Sequence, residues 1–495
     1  MNQNQLIEHT HLVKKLDTNL QMIKKKLGGS SDIVYRVLEH DKCMIGIVYI
    51  DGLVDYKIIN DSIIKSLMDY PYIRKEDSNL PYHLFHSIKN YGLATGNVNT
   101  NSKLQDVIQG ILEGNTIIMV NGFAHALVTN TQGGDKRAVT EPSSQGTVRG
   151  PKDSFTESIT TNLTLVRRRI KSEELLFEQC KLGTHTKTDI RIAYMRNIAN
   201  EKVVQDITRK LQEIEIDGVL ESGYLEEYLN DNRYSPFPVM YNTERPDTVA
   251  GCLLEGRIAI FVDGTPHVLI APVSFFSFIQ SPEDYYQRFD IATALRIVRL
   301  VSFFLSILTP ALYVAVSTFH HAMIPTPLII SFASQSENVP FPTVVQALIL
   351  LAALEILFEA GIRLPKVVGS AISIVGALVM GEAAARAGFV SAPMVIIVSV
   401  TAIATFAIPS FNLAIVARLL RFFFLLLGAS FGFFGILLGL FCLVAHMGHL
   451  QSFGYPYLAS YAPNVPEDHK DVIFRFPLRK FRTRPSGITQ NRRKQ

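Results

Sequence analysis

The sequence predicts an α+β/α membrane protein: two related cytoplasmic α/β subdomains followed by a polytopic α-helical membrane domain. Three observations carry this. Up to about Asp290 the chain is charged and mixed in pattern, whereas 295–449 is dominated by Leu, Ile, Val, Phe, Ala and Gly. Several runs there approach or exceed the ~18 apolar residues that a membrane span requires. Second, ILEGNTIIMVNGFAHALV (111–128) aligns without gaps to LLEGRIAIFVDGTPHVLI (253–270), the mark of a duplicated unit. Third, the first 30 residues hold no apolar core of about 7–15 residues. No signal peptide is therefore expected, and the large N-terminal part is expected in the cytoplasm.

Composition narrows the choices. A net charge of +4 over 495 residues is too small to imply nucleic acid. Its placement says more: from Phe474 onward there are eight Lys/Arg and no Asp or Glu. Such a segment after a membrane region is expected on the cytoplasmic side, whether as a lipid-facing tail or a solvated one. Cys43, Cys180, Cys252 and Cys442 form no CxxC pair and read as thiols in a reducing compartment. The expected divisions are a helical segment 1–30, subdomains 31–140 and 141–290, a transmembrane domain 291–450 and a basic tail 451–495.

Taken in order, residues 1–30 read as a polar helix with a thin apolar stripe (Leu6, Leu12, Leu16, Leu20, Ile23) that ends at Gly28-Gly29. Lys24, Lys25 and Lys26 read as a solvated face ahead of a lipid contact. Strands follow at 44–50, 116–120 and 125–129, with Asp51-Gly52 and Asn121-Gly122 as turn signals. The repeat matches Gly114 with Gly256, Gly122 with Gly264 and His125 with His267, and 45–55 pairs with 190–200. The two histidines read as packing residues. Residues 131–153 read as a linker. Ser154 with Glu157 forms a capping box ahead of a helix with apolar positions Phe155, Ile159, Leu163, Val166 and Ile170. Arg167, Arg168 and Arg169 read as a solvated helix end ahead of an anion site. A helix at 201–214 and a hairpin at 258–271 complete the second unit.

In the apolar half, spans are expected near 296–316, 343–363, 367–388, 391–411 and 421–447. The proline-rich piece 320–342 is an exterior loop or re-entrant segment. Five spans would put the two ends on opposite sides, against the expected cytoplasmic placement of both. One segment within 391–421, interrupted by Pro393, Pro409, Arg418 and Arg421, is therefore expected to be re-entrant or interfacial. Gly428, Gly432, Gly435 and Gly439 suit close packing in the last span.

The most informative stretch is 346–388, two apolar helices broken at Leu364-Pro365. Glu355, Glu359 and Arg363 recur every four residues and share one face, and Glu382 and Arg386 form another such pair. Gly369, Ser373, Ala377, Gly381 and Ala385 make a ridge of small residues for helix packing. A charge at mid-span costs about 2.5–3.5 kcal/mol on insertion scales. The five ionisable residues are therefore either ion-pathway or gating groups, or an internal salt-bridged interface. Arg363 and Arg386 also lie where snorkelling makes a cation cheap. No phosphate-cradling loop, HExxH or metal-ligand cluster is present, so no catalytic residue, metal or cofactor is expected.

Several stretches together resemble one family: RGPKDSFTESITTNLTLVRRRI (149–170), TERPD (243–247), the hairpin LLEGR…VDGTPHVLIAP (253–272), EDYYQRF (283–289), RLPKVVGSAISIVGALVMGEAAARAG (363–388) and SFGYPYLASYAP (452–463). In matching order from about 32 to 485, they resemble the A subunit of GerA-type spore germination receptors. The chain departs from the family pattern at Gln145-Gly146, where an acidic residue is common, and at Asp153-Ser154, where Glu-Gly is common. The resemblance implies a multi-pass protein of the inner spore membrane. It also implies a transporter-like B subunit and a lipoprotein C subunit as partners, contact with membrane lipid, and homo-oligomerisation into a nutrient-gated cation channel. A secondary transporter or a non-conducting scaffold are the rival readings.

Overall fold

A computed structural model of the chain describes residues 10–40, 43–69, 80–93, 98–133, 142, 145–232, 234–337, 339–363 and 381–490. The N-terminal half is built twice from one plan. The first unit comprises α1 (Leu16–Lys26), β1 (Ile33–His40), β2 (Cys43–Ile50), β3 (Val98–Asn101), α2 (Leu104–Leu112), β4 (Thr116–Val120) and β5 (Ala126–Thr129). Its antiparallel sheet has the order β1-β2-β4-β5-β3. The second comprises α3 (Ile159–Arg169), β6 (Leu175–Leu182), β7 (Thr188–Met195), α4 (Glu201–Gln212), α5 (Ser222–Leu229), β8 (Tyr241–Thr243), α6 (Pro246–Leu254), β9 (Ile258–Val262) and β10 (Val268–Ala271). Its order is β6-β7-β9-β10-β8.

The duplication extends to the register. Ile45 faces Val120 and Ile47 faces Ile118 in the first sheet; their repeat-mates Ile190 and Ile192 face Val262 and Ile260 in the second. The glycines shared by the repeats are those that need left-handed backbone. Gly114 and Gly256 (φ +88° and +95°) stop α2 and α6, and Gly122 and Gly264 (φ +94° and +90°) turn the hairpins. β2 reads as a continuous apolar run because both of its faces are covered. Leu16, Val107 and Ile111 pack with one face; Ile59, Ile63 and Phe85 pack with the other.

Several expectations change. Helix α3 begins at Ile159 rather than behind a Ser154 cap. Ser154 Oγ instead donates to Glu244 O at 3.0 Å, and Asn162 Oδ1 accepts from Thr156 N at 2.7 Å, which holds the lead-in extended. Phe155 is buried regardless. Of the arginines ending α3, Arg168 is exposed as expected, but Arg167 and Arg169 are drawn into the fold. Arg167 is 1% exposed and pairs with Asp32 at 2.9 Å, while its Nη2 reaches Ser30 Oγ at 3.2 Å. That pair ties the first unit to the second. Arg169 pairs with Asp153 and Arg168 donates to Gly133 O. The far end of the expected linker is also anchored, since buried Arg245 donates to Gln145 O, Thr147 Oγ1 and Pro151 O.

The C-terminal segment is likewise built into the fold. Tyr457 is fully buried against Phe237, Phe275 and Phe278. Ser452 Oγ donates to Val239 O, and Thr489 bridges to Ala199. Ser452 and Tyr457 precede the basic stretch, and within that stretch Ile488 is buried.

Among the described residues, three helices are long and apolar enough to cross a membrane: α7 (Phe289–Thr318), most of α8 (Thr343–Arg363) and α10 (Phe411–His449). Between them lies α9 (Ala392–Phe406), whose 15 residues fall short of the ~20 for a straight crossing. Helices α8 and α9 run the same way, because Gln346 meets Ser391 and Phe358 meets Phe406.

Helix α10 is not the single span expected at 421–447. Gly432 has φ +61° and ψ −143°, which breaks the helix. A Cβ on Gly439 would lie 2.7 Å from Leu427, and Asn412 and His446 both touch the second unit, at Glu226 and Ser235. In a straight helix those two residues would sit about 50 Å apart. The second half of α10 therefore turns back along the first. The first half runs alongside α7 so closely that a Cβ on Gly428 would lie 2.8 Å from Ala311 O.

Both ends of this helical region meet at one point. Arg296, 1% exposed, pairs with Asp284 and with Asp471 at 2.9 Å each, and Arg299 reaches Asp284 at 2.8 Å.

The close approach at Gly428 gives a test. Gly428→Leu should lower the thermal midpoint of the solubilised chain, at a cost of about 1–3 kcal/mol for overpacking. Gly448→Leu, where a Cβ meets nothing within 4 Å, should leave the midpoint near that of the wild type.

Candidate functional site

The four apolar helices converge on one charged cluster. Two turns from its C-terminal end, α8 presents Glu355. Across from it, Arg418 and Arg421 lie three residues apart on one face of α10. Arg418 Nε donates to Glu355 Oε2 at 2.7 Å, its Nη2 bonds the same oxygen, and its guanidinium lies 5.3 Å from the Phe358 ring centroid. Arg421 is completely buried. Its Nε donates to Ser306 O of α7 at 2.9 Å and its Nη2 to Thr405 Oγ1 of α9 at 2.7 Å. Its Nη1 stops 3.7 Å from Glu355 Oε1, and both of those atoms are buried without a hydrogen bond.

The balance of terms is uneven. Desolvation costs several kcal/mol per ion. A carboxylate and a guanidinium about 4 Å apart recover only about 4 kcal/mol at an effective dielectric of 20. One carboxylate cannot offset two cations, so Arg421 depends on the Ser306 carbonyl and the Thr405 hydroxyl as well. The cluster keeps one excess positive charge and one hydrogen bond unmade.

The sequence-derived candidates are dispersed around this centre. The ion pairs of Glu355 run to another helix rather than along its own. Glu359 lies one turn further along α8 and is exposed; Arg363 closes that helix. Glu382 and Arg386 pair with each other at 2.5 Å on an exposed surface. Of the small-residue ridge, Gly369, Ser373 and Ala377 lie outside the described residues. Gly381 sits where a Cβ would come 2.9 Å from Val395, and Ala385 is partly buried.

Sequence reasoning took Arg418 and Arg421 as interruptions of a span. Their three-residue spacing within an apolar helix was the available signal, because a buried cation needs a partner.

A second contact links α10 to the N-terminal half: Asn412 Nδ2 donates to Glu226 Oε1 at 3.4 Å. Burial, with the neighbouring Glu221 charge adding to it, pushes the Glu226 carboxyl up to about 7.

With this geometry in place, comparison identifies the lineage. A profile described as Bacillus/Clostridium GerA spore germination protein matches residues 21–487. The chain belongs to the GerA family. Among this GerA chain's relatives is spore germination protein KA of Bacillus subtilis (strain 168), 47% identical over 96% of this chain and 87% of that protein. The uncharacterized membrane protein YfkQ of the same organism is 43% identical over 96% and 91%. Spore germination protein GerLA of Bacillus cereus is 36% identical over 95% and 94%. The crystal structure of the N-terminal domain of the A subunit of the Bacillus megaterium spore germinant receptor GerK3 is 42% identical, with a TM-score of 0.42. It covers 54% of this chain and 97% of that one.

Glu355→Gln should destabilise the chain by about 3–5 kcal/mol, because Arg421 is left buried without a counter-charge. Combining it with Arg418→Met and Arg421→Met should recover much of that loss in a denaturant titration. A single variant as stable as wild type would show that the cluster carries no net attraction.

For Glu226, the folded chain holds a proton that the unfolded chain has released above about pH 4.3. The associated stability is full below that pH and is lost as pH rises through about 7. Thermal midpoints of the wild type should decline across this window relative to Glu226→Gln.

Proposed function

We propose that this chain is the A subunit of a nutrient-responsive spore germination receptor. Copies assemble in the inner spore membrane into a germinant-gated channel that releases monovalent cations. The observation that supports this reading is the Glu355–Arg418–Arg421 cluster. An anchor has no use for three ionisable groups where each costs about 2.5–3.5 kcal/mol to insert, whereas charged groups and constrictions are established means of selecting and gating ions. In the closed state Glu355 is held by the arginines. Opening frees it toward the lumen, with Glu359, Arg363, Glu382 and Arg386 along the pathway. The ridge Gly369–Ala385 packs against neighbouring helices.

A transporter-like B subunit and a lipoprotein C subunit complete the receptor, and these partner subunits sense the nutrient. Because Arg296 and Asp471 join the two ends of the helical region, the reading requires an even number of crossings, with both ends in the spore core. The roles of relatives named as germination proteins support a receptor subunit rather than an enzyme.

The test is germinant-triggered potassium release from spores carrying Glu355→Gln with Glu359→Gln, at matched protein level. Release slowed or made constitutive is the expected result; unchanged release overturns the pore assignment. Normal assembly without conductance under any condition would favour a scaffold. Turnover-limited flux in place of channel current would favour a transporter.

A further inference from the structure

The C-terminal segment comes back against the first turns of α7, where Thr293 Oγ1 accepts from Arg475 N at 3.1 Å. Phe289 and Ile297 lie one turn to either side of Thr293 on the same helix face, and both are exposed. The segment therefore docks on an open, apolar face of α7, about 6 Å along the axis from Ile297.

What the segment displays there is mixed in character. Arg475 turns inward: it is buried, its Nη1 donates to Gln287 O at 3.4 Å, and its guanidinium lies 5.7 Å from the Tyr285 ring centroid. Around it Phe474, Phe476 and Leu478 are 53%, 38% and 61% exposed. Next come Arg479, Lys480 and Arg482, all exposed. None of these three has an acidic partner among the described residues. Lys480 Nζ lies 5.5 Å from the Phe476 ring centroid, so cation and apolar ring share one patch. The acids at the base of α7 are engaged elsewhere: Asp284 and Asp471 hold Arg296, and Asp290 holds Arg288. From Phe474 onward the sequence adds no Asp or Glu.

Two costs meet in this patch, large apolar side chains in water and cations without counter-charges. An anionic bilayer surface relieves both. Phe and Leu enter the boundary between headgroups and acyl chains, and each Lys or Arg near such a surface gains about fivefold in partitioning. The bilayer is also at hand, because α7 runs on into it from Thr293.

We propose that 474–482 is an interfacial anchor for anionic phospholipid. Phe474, Phe476 and Leu478 enter the headgroup boundary at the foot of α7, and Arg479, Lys480 and Arg482 hold the headgroups. Arg475 is bridged to Asp471, so the anchor and the Arg296 junction belong to one turn of the chain. The proposal rests on α7 as a membrane span and not on the channel reading.

The chain contains no tryptophan, so Phe476→Trp puts a single fluorescent reporter in the patch. The test uses the full-length variant in nanodiscs of brominated phosphatidylcholine, either alone or mixed with phosphatidylglycerol. Tyr56→Trp, at an exposed position of the first unit, is the control, and thermal midpoints check that each variant folds. Leu478→Trp repeats the measurement at a more exposed position. Bromolipid should quench F476W and L478W, more strongly with phosphatidylglycerol present, and leave Y56W unquenched. Adding Arg479→Gln, Lys480→Gln and Arg482→Gln should reduce quenching in the anionic mixture to its level in phosphatidylcholine alone. High salt should do the same, since exposed charges are screened. Emission unquenched in both bilayers overturns the proposal, and a blue shift without quenching would mark a protein occupant instead. Quenching equal in the two bilayers and unmoved by the triple substitution overturns it as well.

Discussion

The structure hangs on the guanidinium of Arg296. Removed from water, it needs anions, and it finds them in two segments far apart in sequence, Asp284 before α7 and Asp471 after α10. Arg299 joins from the same helix, so two cations face two carboxylates, and Arg296 also donates to Val472 O at 3.1 Å. Losing one partner of such a buried group costs about 3–5 kcal/mol. The penalty binds the N-terminal half, the first apolar helix and the C-terminal segment into one body.

The charged cluster among the helices is built on different terms. Its two arginines share one carboxylate, and a 3.7 Å gap separates atoms that make no hydrogen bond. The Arg296 junction sets two cations against two carboxylates, although Arg296 Nη2 is likewise buried without a hydrogen bond, whereas the cluster sets two cations against one carboxylate.

Much of this was legible in the residues. Identities such as Gly114/Gly256 and Gly122/Gly264 survive between repeats because they occupy left-handed backbone, and so they announced both the duplication and its turns. Local pattern was a poorer guide where distant partners decide. Ser154 has the sequence of a helix cap, yet its hydroxyl is taken by Glu244 O. Arg167 resembles a helix-end cation, yet it is claimed by Asp32. Spacing predicts a face shared by Glu355, Glu359 and Arg363, but the partners of Glu355 sit on another helix, which a four-residue period cannot reveal. Gly432 looked like one more small residue for packing. Its backbone angles break α10, and contacts distant in sequence, at Gly439, Asn412 and His446, disclose the reversal.

The burial of Tyr457 bears on how the chain is made. Its ring completes the apolar cluster of Phe237, Phe275 and Phe278, but the ribosome supplies it only after every apolar helix. The second unit therefore emerges with an uncovered aromatic surface and carries it throughout membrane insertion, a long-range closure of the kind that slows folding and exposes chains to aggregation. Biogenesis of the N-terminal half thus ends with the last segment synthesised.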